Sequence, residues 1–270
     1  MPEGITVALA QLRPALRDLA KNLRTVTRVL AEHRDADLVV FPELFLSGYT
    51  VDAPGKLALE LDGPELGEVS RAAREASTAV IFGAPERVEE GAANSAICVD
   101  RRGEVVGSYR KTHLFGDERG AFVAGDDLLV VDLDGLEIGI MICFDVEFPE
   151  VARALALARA DLLVTVSANM DPFGRDHDVF VTARALENGV AHLYVNQVGA
   201  GETFTFAGGT MAVSADGDRL AEAGAEEGVI RLTLNPFTRN AERPEALRPN
   251  YLKEARGKLP VDTRGGQKQR

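Results

Sequence analysis

Residues 128–167 read LLVVDLDGLEIGIMICFDVEFPEVARALALARADLLVTVS, and the order of patterns in this stretch decides the fold. Leu128 to Leu133 and Glu137 to Cys143 are apolar, β-branched runs on either side of Asp134-Gly135, a dipeptide that strongly favours a two-residue hairpin. From Pro149 the period becomes helical, with proline near the helix start and Val151, Leu155 and Ala158 on one face. Leu162 to Ser167 is strand-like again. A hairpin that runs on into a strand–helix–strand unit calls for a sheet with both antiparallel and parallel neighbours.

The same alternation extends both ways. Toward the N-terminus, Ile5 to Ala10, Leu16 to His33 and Asp37 to Phe41 read strand, helix, strand. Glu65 to Ala76 is helical and Ala79 to Gly83 a strand. Ser95 to Val99 and Val105 to Tyr109 are strands joined by the turn Asp100-Arg101-Arg102-Gly103. Toward the C-terminus, Asp176 to Ala191 reads as a helix, with strands at His192 to Val198, Thr203 to Ser214 and Gly228 to Leu234, and Asp216-Gly217 as a turn. Mixed βα units with several hairpins predict an α/β protein, a four-layer α-β-β-α sandwich of two mixed sheets with outer helices; a barrel is the alternative. Residues 1–252 are expected to form one domain. Residues 253–270 are polar, carry Gly257, Pro260, Gly265 and Gly266 without periodicity, and read as a tail or arm.

Hydrophobic residues make up 46% of the 270, enough for a sizeable core. The formal charge, 30 − 42 = −12, repels phosphate backbones and anionic lipid, so nucleic acid is not an expected partner. The N-terminus lacks the basic and long apolar regions of a signal peptide, and charges interrupt every apolar run well short of a membrane span. No membrane association and a cytoplasmic location are expected. The two cysteines, Cys98 and Cys143, make neither a disulfide framework nor a thiolate zinc site. His113, His177 and His192 have no metal-ligand spacing, and Asp176-His177-Asp178 has no second cluster to complete a coordination sphere, so no metal or other cofactor is expected. Gly199-Ala200-Gly201 and Gly208-Gly209 read as turns, not as a nucleotide-binding loop.

Three polar residues end apolar strands where a core would not place them: Glu43 after Val39-Val40-Phe41-Pro42, Lys111 after Tyr109-Arg110, and Cys143 after Ile140-Met141-Ile142. Strand ends are where α/β folds build sites, and opposite charges near a buried thiol suggest one shared pocket. Cys143, between strand and helix, resembles a nucleophile elbow. A nearby ammonium favours its thiolate, and a carboxylate can take its proton. Cys98, in Ala96-Ile97-Cys98-Val99, lacks that setting and reads as a small core residue.

The segments Phe41-Pro42-Glu43-Leu44, Arg110-Lys111-Thr112-His113-Leu114-Phe115 and Cys143-Phe144-Asp145-Val146-Glu147-Phe148-Pro149-Glu150 resemble the three signature segments of the nitrilase superfamily, in its order and at its approximate separations. The likeness covers roughly Ile5 to Asn250. It implies Glu43 as general base, Cys143 as nucleophile and Lys111 as the cation that stabilises a tetrahedral oxyanion, with the Phe144 backbone N–H as a further donor. Glu118, seven residues beyond Lys111, falls where many members carry a supporting carboxylate. Asn169, at a strand end, is a candidate for hydrogen-bonding a small polar substrate, and Leu44, Tyr49, Phe115, Phe144, Met170 and Phe173 for a largely apolar wall. Glu147 departs from the arginine of many omega-amidase-like relatives, which argues against a dicarboxylate monoamide. The expected activity is hydrolysis of a small aliphatic amide to acid and ammonia through a thioester. Nitrile or N-carbamoyl hydrolysis is the alternative within the family, and a catalytically silent binding or assembly protein the alternative outside it. The resemblance further implies a homodimer or higher homo-oligomer.

Overall fold

The computed structural model describes residues 4–236. The expected boundary at residues 252–253 and the C-terminal tail lie outside them.

Two six-stranded mixed sheets stack face to face. The first has strand order β14-β1-β2-β3-β4-β5, made of β1 (Ile5–Gln11), β2 (Leu38–Val40), β3 (Ala79–Val88), β4 (Gly91–Val99), β5 (Val105–Arg110) and β14 (Gly228–Leu234). The second has the order β13-β12-β9-β8-β7-β6, made of β6 (Val130–Leu133), β7 (Leu136–Ile142), β8 (Leu162–Ser167), β9 (Ala191–Asn196), β12 (Met211–Val213) and β13 (Arg219–Glu222). A short ribbon, β10 (Val198–Ala200) with β11 (Thr205–Ala207), stands apart. Parallel pairs β1/β2/β3 and β7/β8/β9 form the centres of the sheets, and antiparallel pairs flank them.

Strand alternation explains the layers. On β1, Val7 and Leu9 face the other sheet while Ala8 and Ala10 face the helices. Between the sheets, Val7, Leu9, Val40 and Ile81 meet Ile138, Ile140, Val164 and Leu193. On the outer face of the first sheet, α1 (Leu19–Glu32) and α2 (Pro64–Ala76) lay Val26, Leu30, Leu66 and Val69 over Val39, Phe41, Val80 and Phe82. On the outer face of the second, α4 (Pro149–Leu157) packs Val151 and Leu155 on Met141 and Leu163, and α5 (Gly174–Asn188) packs Val181 and Ala185 on Tyr194 and Met211. With both faces buried, the central strands must be continuously apolar, as the sequence shows. This is the four-layer sandwich, not the barrel.

Several boundaries differ from the sequence reading. The helix expected to reach Ala191 stops at Asn188, because Gly189 adopts the left-handed conformation (φ 62°) and its N–H returns to Ala185 and Leu186. Ala191 then begins β9. The strand expected from Ser95 begins at Gly91, and the run Thr203 to Ser214 splits into β11 and β12. A short helix that the sequence did not signal, α3 (Glu118–Ala121), follows Gly116. Among the described residues no helix is long and apolar enough to cross a membrane.

Candidate active site

The chemistry-bearing residues sit just beyond the C-terminal ends of four strands from both sheets: Glu43 after β2, Lys111 after β5, Cys143 after β7 and Ala168 after β8. Gly83 of β3 lets the Glu43 segment come close, since a Cβ there would lie 2.2 Å from Leu44 N and 2.6 Å from Glu43 Cα. Leu44 (φ 46°) and Cys143 (φ 44°) are both left-handed without being glycine, a conformation that costs roughly 1–3 kcal/mol and tends to mark functional turns. At Cys143 it turns the chain sharply out of β7 into a single 3₁₀ turn ahead of α4.

Lys111 is buried between two buried carboxylates, its Nζ 2.7 Å from Glu43 Oε1 and 3.0 Å from Glu118 Oε1. Asn94 Nδ2 donates to Glu43 Oε1 at 2.7 Å, and the Ala168 N–H to Glu43 Oε2 at 2.8 Å. Tyr49 OH donates to Glu118 Oε1 at 2.9 Å, and the Phe115 N–H to Glu118 Oε2 at 2.8 Å. The Gln197 side chain donates to the Glu43 carbonyl at 2.7 Å, fixing the backbone as well. Buried charges are tolerable only when paired and hydrogen-bonded in this way.

Burial opposes the ammonium of Lys111, but Glu43 and Glu118 outweigh it and hold the group protonated well above its usual range. Burial pushes the Glu43 carboxyl up; Lys111 opposes the rise and Glu118 adds to it. A carboxylate with a raised pKa is a better proton acceptor at neutral pH. Burial also raises the Cys143 thiol, Glu43 adds to the rise, and Lys111, Ser167 and the Ala168 N–H act against it.

Cys143 and Lys111 open on a cavity of about 150 Å³ walled by Tyr49, Phe115, Phe144, Met170 and Phe173, with Asn169, Glu147, Asp176 and His177 completing it. A larger groove of about 540 Å³ also reaches Tyr49 but is lined by neither Cys143 nor Lys111. The structure thus brings together Glu43, Lys111, Glu118 and Cys143, and around them Tyr49, Phe115, Phe144, Asn169 and Met170. Leu44 is the exception among the expected wall residues. It is fully buried in the apolar cluster with Ala168 and Phe206, not on the cavity surface. Asn169 reaches the wall, but its Nδ2 donates to the Phe173 carbonyl at 3.0 Å. Glu118, which in isolation reads as an exposed loop acid, is wholly buried.

Sequence reasoning missed Asn94 and Asp145. Asn94 is a polar residue inside the apolar run Ala92-Ala93-Asn94-Ser95-Ala96, a signal that was present but unread. Asp145 is buried and ties two strand ends together, accepting from the Ile142 N–H at 3.0 Å, Tyr109 OH at 2.8 Å and the His113 N–H at 3.1 Å. It thereby holds the Lys111 segment against the Cys143 turn. Arg184 secures the other side of the turn, donating to the carbonyls of Val146 and Glu147. Among the described residues, no group of three or more histidine, cysteine or acidic side chains is placed to hold a metal ion.

A strand-end thiol facing a lysine held between two glutamates, on an α-β-β-α sandwich, defines a hydrolase of carbon–nitrogen bonds of the nitrilase superfamily. Residues 6–241 match the carbon-nitrogen hydrolase family, and the chain belongs to it. It is 38% identical to an (R)-stereoselective amidase of Pseudomonas sp, over 93% of this chain and 91% of that one. It is 33% identical to a nitrilase of Pyrococcus abyssi, over 85% and 90% of the two chains. Among solved structures it resembles the amidase from Nesterenkonia sp. AN1, with a TM-score of 0.81, 30% identity and coverage of 94% and 95%. That structure is a glutamate-to-glutamine variant showing covalent addition of the acetamide moiety of fluoroacetamide at the active-site cysteine.

Proposed function

We propose that the protein hydrolyses small amides through a thioester on Cys143. The observation that carries this reading is the cavity onto which the Cys143 thiol opens beside an ammonium locked between Glu43 and Glu118. Glu43 takes the thiol proton as sulfur attacks the amide carbonyl. The negative charge that develops on oxygen is stabilised by Lys111 and backbone N–H groups, a contribution worth several kcal/mol where such donors are preorganised in a buried site. Glu43 then gives its proton to the departing nitrogen, which leaves as ammonia or amine. Water, deprotonated by Glu43, attacks the thioester, and the acid departs as the thiol is restored. Glu118 shares Lys111 with Glu43 and fixes its position.

Size and lining support a small, apolar acyl group. A cavity of about 150 Å³ is large enough for a benzene-sized group. Its aromatic and methionine walls favour an aliphatic or ring-bearing acyl chain. The same residues can act on a nitrile or an N-carbamoyl compound, and a substrate panel separates these. The mechanism is tested by adding hydroxylamine during turnover of a good amide substrate. A hydroxamate product and an acyl adduct on Cys143 in intact-mass spectra are expected. Free acid alone, with no adduct, overturns the thioester.

A further inference from the structure

A buried string of polar side chains, separate from the Glu43–Lys111–Glu118 contacts, leads toward Cys143, and the proposed mechanism makes no use of it. His177, in the first turn of α5, is almost fully buried and lies on the cavity wall. Its Nδ1 is 2.9 Å from Tyr194 OH, and its Nε2 3.4 Å from Glu147 Oε1. Tyr194, fully buried on β9, donates its hydroxyl to Ser167 Oγ at 3.0 Å. The Asn169 N–H donates to the same oxygen at 3.2 Å. Ser167, the last residue of β8, follows Val166, which pairs in parallel register with Ile142, so Ser167 and Cys143 leave neighbouring strands side by side and the Ser167 hydroxyl acts on the Cys143 thiol.

Proton counting sets the direction of each bond. Tyr194 has one hydroxyl proton and gives it to Ser167, so its oxygen accepts from His177 and Nδ1 carries a proton. Ser167 Oγ already receives two donors, which leaves its own proton free to turn to the sulfur beside it. Every bond therefore points the same way, from His177 toward Cys143. The final donor stands beside the atom that must become negative.

We propose that His177, Tyr194 and Ser167 form a directed hydrogen-bond string that stabilises the Cys143 thiolate, in addition to Lys111. The proposal rests on Cys143 being the nucleophile. No proton crosses the string, because the thiol proton goes to Glu43. Ser167 acts on the reacting atom, whereas His177 and Tyr194 are positioning residues that orient and polarise it. Hydrogen bonds to an ionised acceptor are about twice as strong as neutral ones, and chained donors strengthen one another. The other titratable groups that act on the sulfur are Glu43, Lys111, Tyr49 and Tyr194, and Glu147 and Asp176 line the cavity with His177.

The test is the rate of Cys143 alkylation by iodoacetamide in the intact protein, followed by mass spectrometry from neutral to alkaline pH. Cys143→Ala serves as the blank, and circular dichroism checks the fold. Tyr194→Phe keeps the ring and removes the middle of the string. Its alkylation rate at neutral pH should fall on the order of tenfold, with the pH profile moved about one unit upward. Ser167→Ala should do the same, and Ser167→Thr, which keeps the hydroxyl, should recover most of the rate. Folded Tyr194→Phe and Ser167→Ala proteins alkylated at the wild-type rate at every pH overturn the string. Equal slowing in Ser167→Ala and Ser167→Thr also overturns it, since only packing would then be at work. If Tyr194→Phe does not fold, the Ser167 pair decides. A folded wild-type protein that neither alkylates at Cys143 nor turns over any amide instead defeats the proposed function, and the string with it.

Discussion

Cys98 and Cys143 belong to facing sheets, both follow apolar strand sequence and both are buried, yet their surroundings differ in kind. Cys98 sits within β4 in the core between the sheets, and burial alone pushes its thiol up to about 12. Cys143 sits one residue beyond β7, where burial also raises the thiol but Lys111, Ser167 and the Ala168 N–H act in the opposite sense. It also opens on a cavity, which Cys98 does not line. Burial by itself makes a cysteine inert. A strand end adds the partners and the access that chemistry requires.

The largest effect that would break this contrast is on turnover. Cys143→Ala should abolish amide hydrolysis with the fold intact, while Cys98→Ala should keep near-wild-type activity and lose about 1 kcal/mol of stability. Steady-state rates and urea melts on the two variants check both; equal loss of activity would erase the distinction. Glu43→Gln keeps the shape and removes the proton acceptor, so acylation in single-turnover experiments should slow by roughly 10²-fold or more.

Gly83→Ala sharpens the comparison from a distance. Its Cβ would collide with the Leu44 and Glu43 backbone, and a shift of about 1 Å in Glu43 should cost on the order of 10²-fold in kcat while Cys98 and its surroundings stay in place. The smallest effect concerns Cys98 in alkaline solution. Its folded pKa lies above the unfolded value of ~8.5, so its contribution to stability is full below that value and falls as pH rises toward about 12. At pH ~10 the loss amounts to roughly 2 kcal/mol. Cys98→Val should remove that share of the alkaline loss, as read from urea midpoints at neutral and alkaline pH.

Legibility varied with how local each signal is. The Asp134-Gly135 hairpin was readable because a two-residue turn needs positive φ at both positions, and the structure has 58° and 91° there. The end of α5 was misread because Val190 and Ala191 continue an apolar run past Gly189, and α5 carries apolar residues on exposed positions such as Val179 and Leu186 as well as on its buried face. Glu43, Lys111 and Cys143 stood out as polar residues ending apolar strands. Tyr49 could be read only as an apolar wall, because nothing near it in the chain reveals that its hydroxyl meets Glu118 sixty-nine residues away.

The sequence by itself determined the order of the main strands and helices, the sandwich architecture, the family and the residue types that face the chemistry. These follow from periodicity, turn dipeptides and three short segments, all local in the chain. Only the tertiary structure decided that Glu118 is buried beside Lys111, that Leu44 turns into the core, that Asp145 joins two strand ends and that His177 connects through Tyr194 to Ser167. Those contacts join strands and helices far apart in sequence. Their geometry exists only once the hydrophobic faces of two sheets have closed on each other and fixed which strand ends meet.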